Sequence, residues 1–335
     1  MKEEIDMMIL YMLLAVLGLV VSFVLLVKGA DYFVDGCVSI AKLLRVPSLI
    51  IGLTIVAMGT SAPEAAVSIS GAITDPTNAG ITLGNLLGSN LLNILIILGI
   101  SAVIVPMSVD KSLLKKDFPL LLGSAVIVPL LFWVSGFKGT RLGGVIILAF
   151  FAVFMIWTIM NALSSRKNSK VIDSGNDEFS ADEAPMSNLK SILYAVCGLA
   201  VVIGGGQLAV FCAKYIARGM GISESLIGLT VVALGTSLPE LITSVVAARK
   251  GNSDLALGNI IGSNLFNVLM VLGLTMIISP FAVTMNNIID ALAVLAVSIL
   301  CYAFAATKKI GRVKGIVFLL CYAVYLTYII IRDFA

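Results

Sequence analysis

Histidine is absent from this 335-residue chain, which removes the commonest metal ligand, the usual general base and any imidazole proton relay. Charge is scarce as well: 12% of residues are Asp, Glu, Lys or Arg, against about a quarter in water-soluble domains. With 59% apolar residues and a mean hydropathy of +1.09, an ordinary cytosolic globule is excluded and an integral membrane protein is expected. Twenty-two Lys and Arg against nineteen Asp and Glu leave a net charge of only +3, and the scattered cations form no basic face for nucleic acid. The five cysteines, Cys37, Cys197, Cys212, Cys301 and Cys321, stand singly in apolar surroundings with no C-x-x-C spacing, as small buried hydrophobes do. Also missing are a nucleotide-binding G-x-x-x-x-G-K-[ST], a phosphorylated D-K-T-G and a nucleophile elbow G-x-S-x-G. Neither an enzyme nor a bound cofactor is expected.

What is present is a succession of apolar windows, each near the roughly 20 residues that cross a bilayer. The windows predict ten transmembrane helices near 8–28, 48–71, 80–104, 118–136, 142–163, 190–213, 224–248, 255–279, 287–306 and 313–331. The acidic start MKEEIDMM precedes an apolar run without a small-residue cleavage site, so the first window reads as a retained span. The long polar stretch, residues 164–189, mixes both charges and lacks the glycine and ligand spacing of an EF-hand loop. It therefore reads as a linker between a unit at 1–163 and a second at 190–335.

The two units repeat each other. GLTIVAMGTSAPEAAVSI at 52–69 matches GLTVVALGTSLPELITSV at 228–245 at 11 of 18 positions, and GNLLGSNLLNILIILG at 84–99 matches GNIIGSNLFNVLMVLG at 258–273 at 10 of 16. Each copy holds five spans, an odd number, so the second enters the bilayer from the opposite side: the fold class is all-α, two inverted five-helix repeats. Charge bias agrees. Sixteen Lys or Arg fall on the odd-to-even connections and six on the other side. By the positive-inside rule the protein is a multi-pass cell-membrane protein with a cytoplasmic linker and both termini outside.

Only two of the acidic residues, Glu64 and Glu240, sit deep in these windows, and no Lys or Arg lies in spans two, three, seven or eight. A carboxylate at mid-bilayer costs about 2.5–3.5 kcal/mol, so the missing counter-charge must come from protons or dissolved cations. The neighbours suit cations. Pro63 and Pro239 lack an N–H, which removes the helical partner of the Gly59 and Gly235 carbonyls and breaks spans two and seven. Thr60 and Glu64, like Thr236 and Glu240, are spaced i, i+4, and Ser61 and Ser237 add hydroxyls. In spans three and eight, Asn85, Ser89 and Asn93, and Asn259, Ser263 and Asn267, form matched i, i+4, i+8 stripes. Gly84, Gly88, Gly258 and Gly262 form G-x-x-x-G pairs suited to close helix packing. Asn90 and Asn264 fall on another face, and their role stays open.

Carboxylates, hydroxyls and carbonyls make a hard oxygen cage. Ca²⁺ takes about 6–8 oxygens, and a formal −2 site balances one Ca²⁺ or two Na⁺. Exclusive occupancy by one or the other is the basis of exchange; a third Na⁺ would make it electrogenic. A Ca²⁺/H⁺ or other cation antiporter remains an alternative, as does a passive cation channel, although two inverted halves in one chain favour alternating access.

The paired GTSAPE and GTSLPE motifs, each followed by GN-x-x-GSN-x-x-N, resemble the two alpha repeats of the sodium/calcium exchangers in the cation/calcium antiporter superfamily. The resemblance implies the ten-span plan and a central site, with the first and sixth spans sliding past the other eight. It implies that Glu64 and Glu240 are the shared Ca²⁺/Na⁺ carboxylates, with Thr60 and Thr236 beside them. The carbonyls of Ala57 and Ala233, with Ser61, Ser237, Ser89 and Ser263, complete Na⁺ sites, and Asn93 and Asn267 line the middle. Ca²⁺ and Na⁺ are then the substrates, the bilayer is the surroundings, and no protein partner is evident. Asn267 stands where the potassium-dependent branch has Asp, which argues against K⁺ co-transport. GTSxPE differs from the Asn-containing motif of proton-driven exchangers, and no large regulatory domain is present. A compact prokaryotic-type member is expected.

Overall fold

In the computed structural model, residues 2–74, 79–169, 186–220 and 233–334 are described. The architecture is helical, and among the described residues eight helices are long and apolar enough to cross a membrane, with a ninth span made of two segments bent by 50°. In chain order, α1 is Lys2–Leu44, α2 Ser48–Thr60, α3 Ala62–Thr74, α4 residues 79–104, α5 Leu113–Val134, α6 Arg141–Ser169 and α7 Asn188–Gly219. After them come α8 Ala233–Thr236, α9 Leu238–Arg249, α10 Ser253–Ile278, α11 Met285–Ala305 and α12 Arg312–Phe334. The expected window at 224–248 is represented by α8 and α9; its first part, 224–232, lies outside the described residues.

The largest difference from the sequence windows is in α1. The window ends near 28, but the helix continues to Leu44. Lys28, Asp31, Asp35 and Lys42 do not interrupt it, because charged straight-chain residues propagate a helix well and the two aspartates gain a partner. Lys250, just after α9, reaches Asp35 Oδ1 at 2.7 Å and Asp31 Oδ1 at 3.4 Å. Termination waits for Arg45, whose φ of 55° is the left-handed cap, and for Pro47, which cannot continue the ladder. At the sixth window, likewise, α7 runs from Asn188 to Gly219.

Burial sorts the helices. In the most apolar stretches of α4 and α10, 72% and 83% of residues are buried, against 17% in α1 and 11% in α12. The inner pair carries the polar stripes; the outer helices carry exposed Leu13, Leu17, Val20, Phe211, Val313 and Val324, a belt far larger than any soluble surface tolerates and suited to lipid.

Glycines set how closely helices approach. A Cβ on Gly258 would meet Leu49 O at 2.7 Å, and one on Gly262 would meet Leu53 O at 2.6 Å, so α10 lies backbone to backbone on α2. The packing expected of these two glycines is therefore present. At Gly84 and Gly88 no described atom comes within 4 Å, and the segment equivalent to α2, around 224–232, lies outside the described residues. The same device joins α1 to α7: a Cβ on Gly36 would run into the backbone of Ala195, and one on Gly198 would meet Phe33 N at 2.5 Å. Lipid tails are as apolar as side chains, so helix pairs in a membrane gain mainly from such close packing.

Two antiparallel ladders of two residues per strand complete the fold. Met107–Ser108, after α4, pairs with Lys309–Ile310, and Phe281–Ala282, after α10, pairs with Lys138–Gly139. Each ladder joins the connection following an inner helix of one unit to the connection between the two outermost helices of the other.

Gly36→Ala is expected to destabilise the protein by about 1–3 kcal/mol, the usual cost of overpacking, seen as a lowered melting temperature in detergent. An unchanged melting temperature would mean that the α1–α7 contact is loose.

Candidate functional site

The helix break falls where the prolines predict it. Ser61 leaves the helical region at φ −81°, ψ 2° between α2 and α3, and Ser237 does so at φ −92°, ψ 4° between α8 and α9. Each break puts a serine at the end of one half-helix, with Pro and Glu in the first turn of the next. The Ala57 carbonyl is not freed, for it accepts the Ser61 N–H at 3.0 Å and lies 3.4 Å from Thr60 Oγ1. Ala233 opens α8, and its side chain lies outside the described residues.

The two glutamates come together across the repeats. Glu64 is 0% and Glu240 1% exposed. Ser237 Oγ donates to Glu64 Oε1 at 3.0 Å, and Ser61 Oγ donates to Glu240 Oε1 at 2.9 Å. Threonines follow the same exchange, Thr236 lying against Glu64 and Thr60 against Glu240. The i, i+4 spacing pairs each threonine with the glutamate of its own motif. The break turns the helix between them, and each threonine instead lies near the carboxylate of the other motif, while the Thr60 hydroxyl lies 3.0 Å from the Val56 carbonyl.

The inner helices close the site. Ser89 Oγ lies 3.3 Å from Ser237 Oγ, and Asn267 Nδ2 donates to Ser89 Oγ at 3.5 Å and to Asn90 Oδ1 at 3.3 Å. Asn93 Nδ2 donates to Asn264 Oδ1 at 3.2 Å, and Asn90 Nδ2 to the Asn264 carbonyl at 3.3 Å. A continuous polar network thus runs from Glu64 through Ser237, Ser89 and Asn267 to Asn90. Asn93 opens one π-helical turn, Asn93–Leu98, and Asn267 is the second residue of another, Phe266–Leu272, a local widening that is frequent at functional sites. Ser263 is buried in the same stretch of α10.

The stripes divide at their first members. Asn259 Nδ2 donates to Ser244 Oγ at 2.9 Å, and Asn85 Nδ2 to Ser68 Oγ at 3.4 Å, so these two asparagines tie each inner helix to the neighbouring half-helix. Asn259 Oδ1 also lies 3.1 Å from Thr60 Oγ1. Asn90 and Asn264, left without a role by the sequence, are inside the network. Their spacing of i, i+3 from Asn93 and Asn267 was the available signal, since such positions share a helix face.

Several buried atoms here have no partner: Glu64 Oε2, Glu240 Oε2, Asn93 Oδ1, Asn267 Oδ1, Ser263 Oγ and Asn264 Nδ2. A buried polar atom left unpaired costs about 1–3 kcal/mol, more when charged. Four of the six are pure acceptors, and the one Lys or Arg on the helices that carry them, Arg249, stands in the last turn of α9, at the far end from Glu240. A cation with an oxygen-rich shell is the complement such a set lacks. Elsewhere buried carboxylates have cations at hand: Asp290 accepts from Arg332 at 3.0 Å and from Tyr325 at 3.1 Å, and Asp117 lies beside Lys116. These two acids lie near the starts of α5 and α11, so they are buried without sitting deep in an apolar span, and a nearby cation sets them apart.

Comparison with known proteins places this geometry. The family model described as "Sodium/calcium exchanger protein" matches residues 14–160 and 190–331. A putative antiporter, CaxA, of Alkalimonas amylolytica is 38% identical over 322 residues, covering 94% of this chain and 98% of the relative. The sodium/calcium exchanger MaX1 of Methanosarcina acetivorans is 34% identical, covering 92% and 96%. Among solved structures, the sodium-calcium exchanger NCX_Mj soaked with zero Na⁺ and Ca²⁺ superposes with a TM-score of 0.81 at 32% identity, covering 95% of this chain and 99% of that one.

Glu64→Gln and Glu240→Gln each keep an oxygen to accept the serine hydroxyl, so both variants are expected to fold with melting temperatures near that of the parent protein. Both are expected to lose Ca²⁺ transport, measured as ⁴⁵Ca²⁺ uptake into vesicles. Parental uptake in either variant would remove that residue from the site.

Proposed function

This chain belongs to the sodium/calcium exchanger family and is an antiporter of Na⁺ against Ca²⁺, and from that premise we propose how its residues carry the exchange. Glu64 and Glu240 hold one Ca²⁺ or, in its place, Na⁺ ions. Thr60, Thr236, Ser61, Ser237, Ser89 and Ser263 supply hydroxyl oxygens, Ala57 and Ala233 backbone carbonyls, and Asn93 and Asn267 amide oxygens. The observation that carries the reading is the crossed pair of bonds, Ser237 to Glu64 and Ser61 to Glu240, which leaves one bare oxygen on each buried carboxylate.

The chemistry follows from charge. With both glutamates ionised the site is −2, and one Ca²⁺ neutralises it. Two Na⁺ do the same, so either loaded form is occluded without a net charge, whereas the empty site would carry two uncompensated anions through the bilayer. That penalty couples the two fluxes. A third Na⁺, with neutral Asn93 and Asn267 in the middle, leaves a positive loaded state and an electrogenic cycle.

Ten spans in two inverted five-helix halves complete the reading. The mirrored hydrogen bonds and the reciprocal ladders, Met107–Ser108 with Lys309–Ile310 and Phe281–Ala282 with Lys138–Gly139, support a two-fold relation between the halves. The glycine-knit pair α1–α7 moves as one body past the rest, exposing the site to each side in turn. Charge bias supports a cytoplasmic linker at 164–189 and termini outside.

Vesicles containing the purified protein and loaded with Na⁺ are expected to accumulate external Ca²⁺ only while the Na⁺ gradient lasts. An inside-negative potential is expected to slow uptake when three Na⁺ leave per Ca²⁺. Equal uptake driven by a pH gradient without Na⁺ would overturn Na⁺ coupling, and Ca²⁺ flux indifferent to every counter-gradient would indicate a channel.

A further inference from the structure

An asparagine amide has almost the same shape after a half-turn about its terminal bond, but the half-turn exchanges an acceptor oxygen for a donor NH₂. In a cation site that difference is decisive, because an NH₂ aimed at Ca²⁺ or Na⁺ repels it. The mid-site amides of Asn93 and Asn267 are both buried, and both leave their oxygens without a protein partner. In each, the NH₂ is turned away onto the opposite repeat: Asn93 Nδ2 to Asn264 Oδ1 at 3.2 Å, and Asn267 Nδ2 to Asn90 Oδ1 at 3.3 Å, with Ser89 Oγ a longer second acceptor at 3.5 Å. Asn90 is held in turn by its own bond to the Asn264 carbonyl at 3.3 Å.

The geometry points to Asn90 and Asn264 as positioning residues that fix the amides of Asn267 and Asn93 with oxygen, not nitrogen, toward the transported ion. They touch no ion themselves. Each takes up the NH₂ of an asparagine in the other repeat, so the two mid-site oxygens are set in place by reciprocal clamps across the interface of α4 and α10. Outer-shell partners that orient a ligand usually cost 10- to 100-fold in metal affinity when removed. This inference rests on the proposed site, since it presumes that Asn93 and Asn267 face the ion.

An aspartate needs no such clamp, because both of its terminal atoms are oxygens, and this supplies the test. In the full chain reconstituted in vesicles, Asn90→Ala is expected to raise the apparent KM for Ca²⁺ by about 10- to 100-fold while altering kcat little. In a chain that already carries Asn267→Asp, adding Asn90→Ala is expected to change the KM less than twofold. Should Asn90→Ala not fold, the mirror pair gives the same comparison, Asn264→Ala with and without Asn93→Asp. Ca²⁺-dependent thermal stabilisation in detergent reads binding apart from transport. A loss of the same size in the Asn267→Asp background would show a packing role and overturn the inference, as would an unchanged KM in Asn90→Ala. The Glu64→Gln and Glu240→Gln variants separate the two failures: if they transport normally, the site itself is misplaced; if they are inactive and the asparagine comparison fails, only the clamp is wrong.

Discussion

Two carboxylates without a cation, held at the centre of an apolar helix bundle, are the constraint from which the rest follows. Glu64 and Glu240 are buried in the first turns of their half-helices, and the only Lys or Arg on either, Arg249, stands in the last turn of α9. Their nearest support is neutral: one serine hydroxyl from the opposite break and one threonine beside it. Neutral dipoles hold a carboxylate in place but do not cancel its charge. Burial without a counter-ion is therefore tolerable only when the charge arrives with the cargo, and a protein that crosses between two openings only when loaded is an exchanger. Asp290, bonded to Arg332 and Tyr325, shows the alternative: a buried acid whose charge is met within the chain, which serves to join α11 to α12.

Rigidity and mobility are divided along the same lines. The inner helices α4 and α10 are the most buried, and α10 meets α2 with backbone against backbone at Gly258 and Gly262. Such contacts leave no room for a side chain to rearrange, which suits a site whose oxygens must keep their positions. The α1–α7 pair is equally tight within itself, at Gly36 and Gly198, but lies at the lipid-facing edge, where the surroundings are fluid. Its tie to the connection after α9, the Lys250 contacts with Asp31 and Asp35, is a half-exposed ion pair of a kind worth little in stability and easily exchanged for water. The pair also meets the site directly, because a Cβ on Gly59 would touch Leu199 of α7 at 2.9 Å and one on Gly206 would touch Pro239 at 3.3 Å.

How much was legible in advance depended on the range of the cause. Membrane insertion, the helix breaks at Ser61 and Ser237 and the uncompensated glutamates follow from residue type and spacings of a few positions, and the structure places them where expected. The end of α1 was misread at Lys28 because hydropathy marks where apolar side chains stop, while helices end where backbone partners fail; that point is Arg45 and Pro47. The i, i+4 spacing of Thr60 and Glu64 places them on one face only where the helix persists, and the proline in the same motif breaks it.

The sequence by itself determined the solvent of this protein, the position of its two acids, the doubling of its motifs and the absence of an internal cation. All are local properties, readable because a proline, a glutamate or an apolar run acts on its neighbours through the covalent chain. Only the tertiary structure decided which hydroxyl meets which carboxylate and which asparagine clamps which. Those partners lie 171 to 179 residues apart, Asn93 with Asn264 at one extreme and Ser61 with Glu240 at the other, and each stands on the repeat opposite its own. No periodicity within one helix encodes a contact that exists only when two distant copies of a motif are brought face to face.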